Sequence, residues 1–68
     1  MKIDKYAIGD YGEVFFAVDE NIYVRVMDHL QSKGISVSNK HTGDLVDLCV
    51  LVSIEQLNRE LADFSETS

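Results

Sequence analysis

An α+β domain in the order β-β-α-β-β-α is what the sequence predicts, and three observations carry that prediction. Glycine-bearing turns separate short runs that suit strands, of which Ile35–Ser38 alternates apolar and polar residues. Two stretches carry apolar residues at helical spacing, one closed by Lys33-Gly34 and the other opened by Ser53. Each helical stretch follows a pair of strand-like runs, so each hairpin has a helix able to cover one of its faces. The expected product is a four-stranded, mainly antiparallel sheet with two helices packed on one face. These patterns do not set the strand order.

Taken in order, Lys2–Ile8 and Glu13–Val18 suit strands. Gly9-Asp10-Tyr11-Gly12 between them reads as a turn, because glycine accepts positive φ. Asp19 then offers an N-cap, with Glu20 favourable in the first turn of a helix. Ile22, Tyr23, Val26, Met27 and Leu30 make one helical face. The β-branched alternation of Ile22, Val24 and Val26 competes with that pattern. The cap, the Gly34 stop and the length favour the helix, which leaves Val24 pointing outward.

Ile35–Ser38 alternates as a half-buried strand, and Asn39–Asp44 is rich in turn formers. Leu45–Val52 is the most apolar segment of the chain, broken only by Asp47. Ser53-Ile54-Glu55-Gln56 is a capping-box pattern. The helix behind it carries Ile54, Leu57, Leu61 and Phe64 on one face. Glu55, Arg59 and Asp63 fall on the other at i, i+4 spacing. A single domain is expected over residues 1–64, with Ser65–Ser68 a frayed tail.

Composition narrows the functional classes. A chain of 68 residues buries only about 60% of the surface its unfolded form exposes, so a supplement to the core is useful. With a single cysteine, Cys49, no disulfide forms within the chain. Cys49, His29 and His41 fall short of the four ligands of a structural zinc site. Neither a metal nor any other cofactor is expected. Twelve acidic residues against six basic ones give a formal charge of −6, which disfavours direct binding to nucleic-acid phosphates. The charge keeps the chain soluble and can also attract a basic partner surface. No apolar stretch approaches the ~20 residues that span a bilayer, no signal peptide is visible, and the lone thiol suits a reducing compartment. A cytoplasmic protein that does not bind membranes is expected.

The informative anomaly is a doubled apolar pattern. A sheet covered on one face should alternate apolar and polar residues. Val14, Phe16 and Val18 share one face of their strand, yet Phe15 and Ala17 occupy the other. In the fourth strand, Leu45, Cys49 and Leu51 oppose Val46, Leu48, Val50 and Val52, with Asp47 among them. Phe15, Ala17, Leu45, Asp47, Cys49 and Leu51 are therefore the candidate interaction surface. Helices on opposite faces, a second copy of the chain, or a different protein could each cover it. Tyr6 and Tyr11, beside the first turn, suit either core-edge packing or an interface.

Catalytic chemistry is not indicated. A thiol inside an apolar strand has its pKa raised and is inert. His41 with Asp44 and Asp47 has only unspecific loop spacing. The glycines match neither a phosphate-binding loop nor a dinucleotide fingerprint, because a strand follows Gly12. The expected function is a non-enzymatic protein–protein interaction module, a regulator or inhibitor of the kind found among accessory proteins of phages, plasmids or toxin systems. Its most specific form is nucleic-acid mimicry by Asp19, Glu20, Asp28, Glu55, Glu60 and Asp63, which Arg25 and Arg59 interrupt. The alternative is a homo-oligomer, most simply a homodimer, acting as a structural or small-ligand-binding domain.

Overall fold

The computed structural model describes residues 1–65 and has the expected element order. The strands are β1 (Ala7–Ile8), β2 (Val14–Asp19), β3 (Val37–Thr42) and β4 (Leu45–Val50). The helices are α1 (Tyr23–Ser32) and α2 (Ile54–Glu60). All pairings are antiparallel, in one sheet ordered β1-β2-β4-β3. Val14, Phe16 and Val18 of β2 are buried beside Val50, Leu48 and Val46 of β4, their register partners. Both helices cover this one face, since Val26, Leu30, Leu57 and Leu61 belong to the same core cluster. Every buried side chain among the described residues is apolar. None of the described helices is long and apolar enough to cross a membrane.

Local signals explain both helix boundaries that point into this core. After α1, Gly34 takes φ +82° and donates its N–H to Gln31 O, while Ile35 N donates to Leu30 O, both at 3.0 Å. That pair of bonds is a Schellman motif, and Ile35 and Leu30 are both buried in the core. At the start of α2, the Ser53 hydroxyl oxygen accepts from Gln56 N at 3.1 Å, as the capping pattern predicts. Val24 points outward and is 52% exposed.

Several boundaries differ from expectation, each for a physical reason. The first strand shrinks from Lys2–Ile8 to Ala7–Ile8, because the segment ahead of it is tied to α2 instead. Ile3 N donates to Asn58 Oδ1 at 2.6 Å, and Asn58 Nδ2 donates to Ile3 O at 3.2 Å. The Met1 amino group donates to Leu61 O and Phe64 O at 3.1 and 3.2 Å. Asp19 ends β2 rather than capping α1. Its carboxylate accepts from Asn21 N at 2.8 Å in a local turn, and Ile22 occupies the N-cap position with no side-chain cap.

The third strand moves from Ile35–Ser38 to Val37–Thr42. Ile35 is used by the helix stop, and the expected Asn39–Asp44 turn contracts to Gly43-Asp44, with Gly43 at φ +76°. The polar residues Ser38–Thr42 are tolerated in a strand because they are exposed and β3 is a sheet edge. The fourth strand ends at Val50 rather than Val52. Val50 already pairs with the first residue of both β2 and β3, so Leu51 has no partner. Of the tail expected to fray, Ser65 is exposed and 66–68 lie outside the described residues.

Candidate functional site

Register and side-chain alternation define the face of the sheet opposite the helices. Its first row is Ala7–Phe15–Cys49–Ser38, its second Ala17–Asp47–Lys40, and its third Asp19–Leu45–Thr42. Five of the six candidate interaction residues lie on it. Phe15 is 42% and Leu45 47% exposed, Ala17 is exposed, and Asp47 and Cys49 are half-buried. Leu51 falls beyond the first row and is 74% exposed, at the end where Val14 and Val50 pair. A depression of about 370 Å³ opens on this face, with Phe15, Ser38, Lys40, Asp47 and Cys49 among its lining residues.

The chemistry of this face is that of packing. Burial pushes the Cys49 thiol up from its ordinary range, and the Glu13 carboxylate adds to the effect. The thiol is therefore protonated at neutral pH and a poor nucleophile. Asp47 faces Lys40 across the β3–β4 ladder, and opposite charges in that relation attract weakly. Lys40 and Asp44 belong to the same region and were missed as site residues. Their signal was hidden because Asn39–Asp44 reads as a loop until the two-residue turn brings Lys40 into β3.

The six candidate acidic residues do not form one surface. Asp19 and Glu20 sit at the third-row end of the open face, whereas Asp28, Glu55, Glu60 and Asp63 belong to the helical side. Asp63 lies beyond the end of α2 and turns away from the expected line with Glu55 and Arg59. Its carboxylate accepts from Lys33 Nζ at 3.2 Å and from His29 Nε2 at 2.9 Å. His29 Nε2 also lies 2.9 Å from Glu60 O. Both partners are acceptors, so Nε2 is the protonated ring nitrogen. The hydrogen bond from Lys33 is the main cause holding the Asp63 carboxyl below its usual range, with His29 contributing less.

A wider cavity of about 480 Å³ lies beside this cluster, lined by Arg25, Asp28, His29, Asp63, Phe64 and Ser65. His29 and Asp63 are engaged with each other, and the His29 and Phe64 rings meet in an edge-type contact with centroids 5.3 Å apart and planes inclined at 69°. Arg25 and Ser65 also have interactions of their own. This cluster clasps α1 to the turn after α2, and the open sheet face is the stronger candidate. Among the described residues, no group of three His, Cys, Asp or Glu side chains is placed to hold a metal ion.

The class defined by these features is a small α+β domain with a half-covered antiparallel sheet. No protein-family model matches the chain, and no curated protein or solved structure matches it either.

Proposed function

We propose that this protein is a non-enzymatic interaction module that docks another protein on the open face of its sheet and so regulates or inhibits it. One observation carries this: Phe15 and Leu45 remain 42% and 47% exposed on the face opposite a complete core. Full burial of such a side chain is worth ~1.5–3 kcal/mol, so closing the remaining exposure of each offers about 1 kcal/mol. Half-buried Asp47 and the depression beside Lys40 add polar and steric selectivity. A cytoplasmic location goes with this role, since a lone free thiol persists in a reducing compartment.

The test compares proteins recovered from cells of the source by the wild type, Phe15→Glu and Val24→Glu. Val24 is 52% exposed on α1, which makes it a control for an added surface charge. A partner retained by Val24→Glu and lost with Phe15→Glu, at unchanged circular dichroism, is the expected result. Equal recovery by all three variants overturns the proposal.

A second reading, a homodimer, is favoured by the free edge of β3. Its six residues lie at the end of the sheet order, where a second β3 could continue the ladder. Light scattering decides it: a concentration-independent monomer mass removes this reading and leaves the open face untouched.

A further inference from the structure

We propose that the occupant of the open face is a basic segment of another protein with apolar anchors, lying in one orientation along the strands. The proposal rests on the docking role given above and adds the chemistry and polarity of the partner. Its apolar side chains cover the Phe15–Cys49 row, and its lysines or arginines meet the Asp19–Leu45 end.

The face is polarised along its strands. The first row, Ala7–Phe15–Cys49–Ser38, has no charged member, and exposed Leu51 extends the apolar end. The Glu13 carboxylate at its border acts on Cys49 and accepts from Tyr11 N at 3.1 Å, so this end carries less negative charge than the other without being free of it. At the opposite end, Asp19 stands in the third row, Glu20 follows it, and Asp44 lies in the adjoining turn. Glu20 N donates to Asp44 O at 3.1 Å, which ties these two segments together. Asp47 sits one row further in, and Lys40 opposite it is the cation of the face. Four carboxylates, Asp19, Glu20, Asp44 and Asp47, thus stand in this half of the face, and of these Asp47 is the one opposite Lys40. That potential attracts a basic surface and speeds its encounter.

The same polarity works against a second copy on this face. Two copies each carry a formal charge of −6. A two-fold pairing of the faces either brings their acidic ends together or lays carboxylates over the Phe15 row. The first arrangement is repulsive, and the second strips water from charged groups with no partner in exchange. A segment that is apolar at one end and basic at the other satisfies both halves.

The test uses two synthetic helical peptides that share a leucine stripe, one with lysines at one end and the other with glutamates there. Each is titrated into the isotope-labelled full chain and followed by amide chemical shifts. The lysine peptide is expected to shift the amides of 15–19 and 45–49, with affinity falling about tenfold between ~0.05 and ~0.5 M salt. The Glu20→Lys/Asp44→Lys variant, altered at exposed positions, is expected to bind it about tenfold more weakly. Phe15→Glu is expected to lose the shifts. Shifts confined to the helical side around Asp28 and Glu55, equal binding of the glutamate peptide, or no shifts with either peptide each overturn the proposal. A dimer that Phe15→Glu dissociates also overturns it, by giving the face to a second copy. The docking role itself falls separately, through equal recovery of cellular proteins by wild type and Phe15→Glu.

Discussion

On the covered face of the sheet, Val14, Phe16, Val18, Val46, Leu48 and Val50 are all buried; one residue along the same strands, Phe15 and Leu45 stay more than two-fifths exposed. The two sets are similar in chemistry and alternate on the same backbone. What separates them is the placement of α1 and α2, which bring Val26, Leu30, Leu57 and Leu61 to one side only. Hydrophobicity alone therefore does not make a core position. An opposing layer does, and the face without one is where binding energy remains to be gained.

The largest expected effect breaks this comparison at its centre. Leu48 and Leu45 lie three residues apart in β4, fully buried and 47% exposed respectively. Leu48→Ala is expected to cost about 2–5 kcal/mol, most of the ~3–5 kcal/mol available to a domain of this size. Leu45→Ala is expected to change stability by less than ~0.5 kcal/mol. Urea unfolding followed by circular dichroism measures both. Comparable losses at the two sites would mean that the open face is closed in solution.

Why one face reads more clearly in the sequence than the other follows from the range of the forces involved. The apolar runs Glu13–Val18 and Leu45–Val52, the helical stripe ending at Leu30 and the Ser53 cap are local patterns, and the fold realises them, with the fourth strand stopping at Val50. The one-sided packing of both helices was legible from the hairpin–helix order. Strand order was not, because the β2–β4 pairing joins segments about 30 residues apart with no turn signal between them. The ends of β1 and β3 depend on Asn58 gripping Ile3 and on Leu30 accepting from Ile35, and neither bond leaves a periodic trace. The same limit hid Lys40 and Asp44. It also made Asp63 read as a member of an exposed α2 stripe when it is a partner of α1.

A smaller effect sharpens how the covered face is held. Gly34 takes φ +82° with open space where a Cβ would project, so a substitution there meets backbone strain rather than a clash. Gly34→Ala is expected to cost about 1 kcal/mol or somewhat more, through the left-handed conformation that the Schellman bonds require. The denaturation midpoint is expected to fall while binding at Phe15 and Leu45 persists in the folded fraction. A neutral Gly34→Ala would show that α1 is held over the sheet by side-chain packing alone, without help from its stop.

The smallest effect concerns the clasp that keeps the helical layer on its side. Asp63 titrates below its usual range in the folded protein, chiefly through the Lys33 hydrogen bond. The folded state therefore favours the carboxylate, and its contribution to stability is present above the ordinary carboxyl pKa. As pH falls through the lowered folded value, the unfolded chain has already taken up its proton and that contribution is lost. Asp63→Asn is expected to be slightly less stable than wild type near neutrality and to converge on it in acid. Denaturation midpoints measured across the acid range test this. Parallel pH profiles would show that Lys33 and His29 do not hold Asp63 appreciably in solution, leaving the helical layer in place by the packing of Leu30, Leu57 and Leu61.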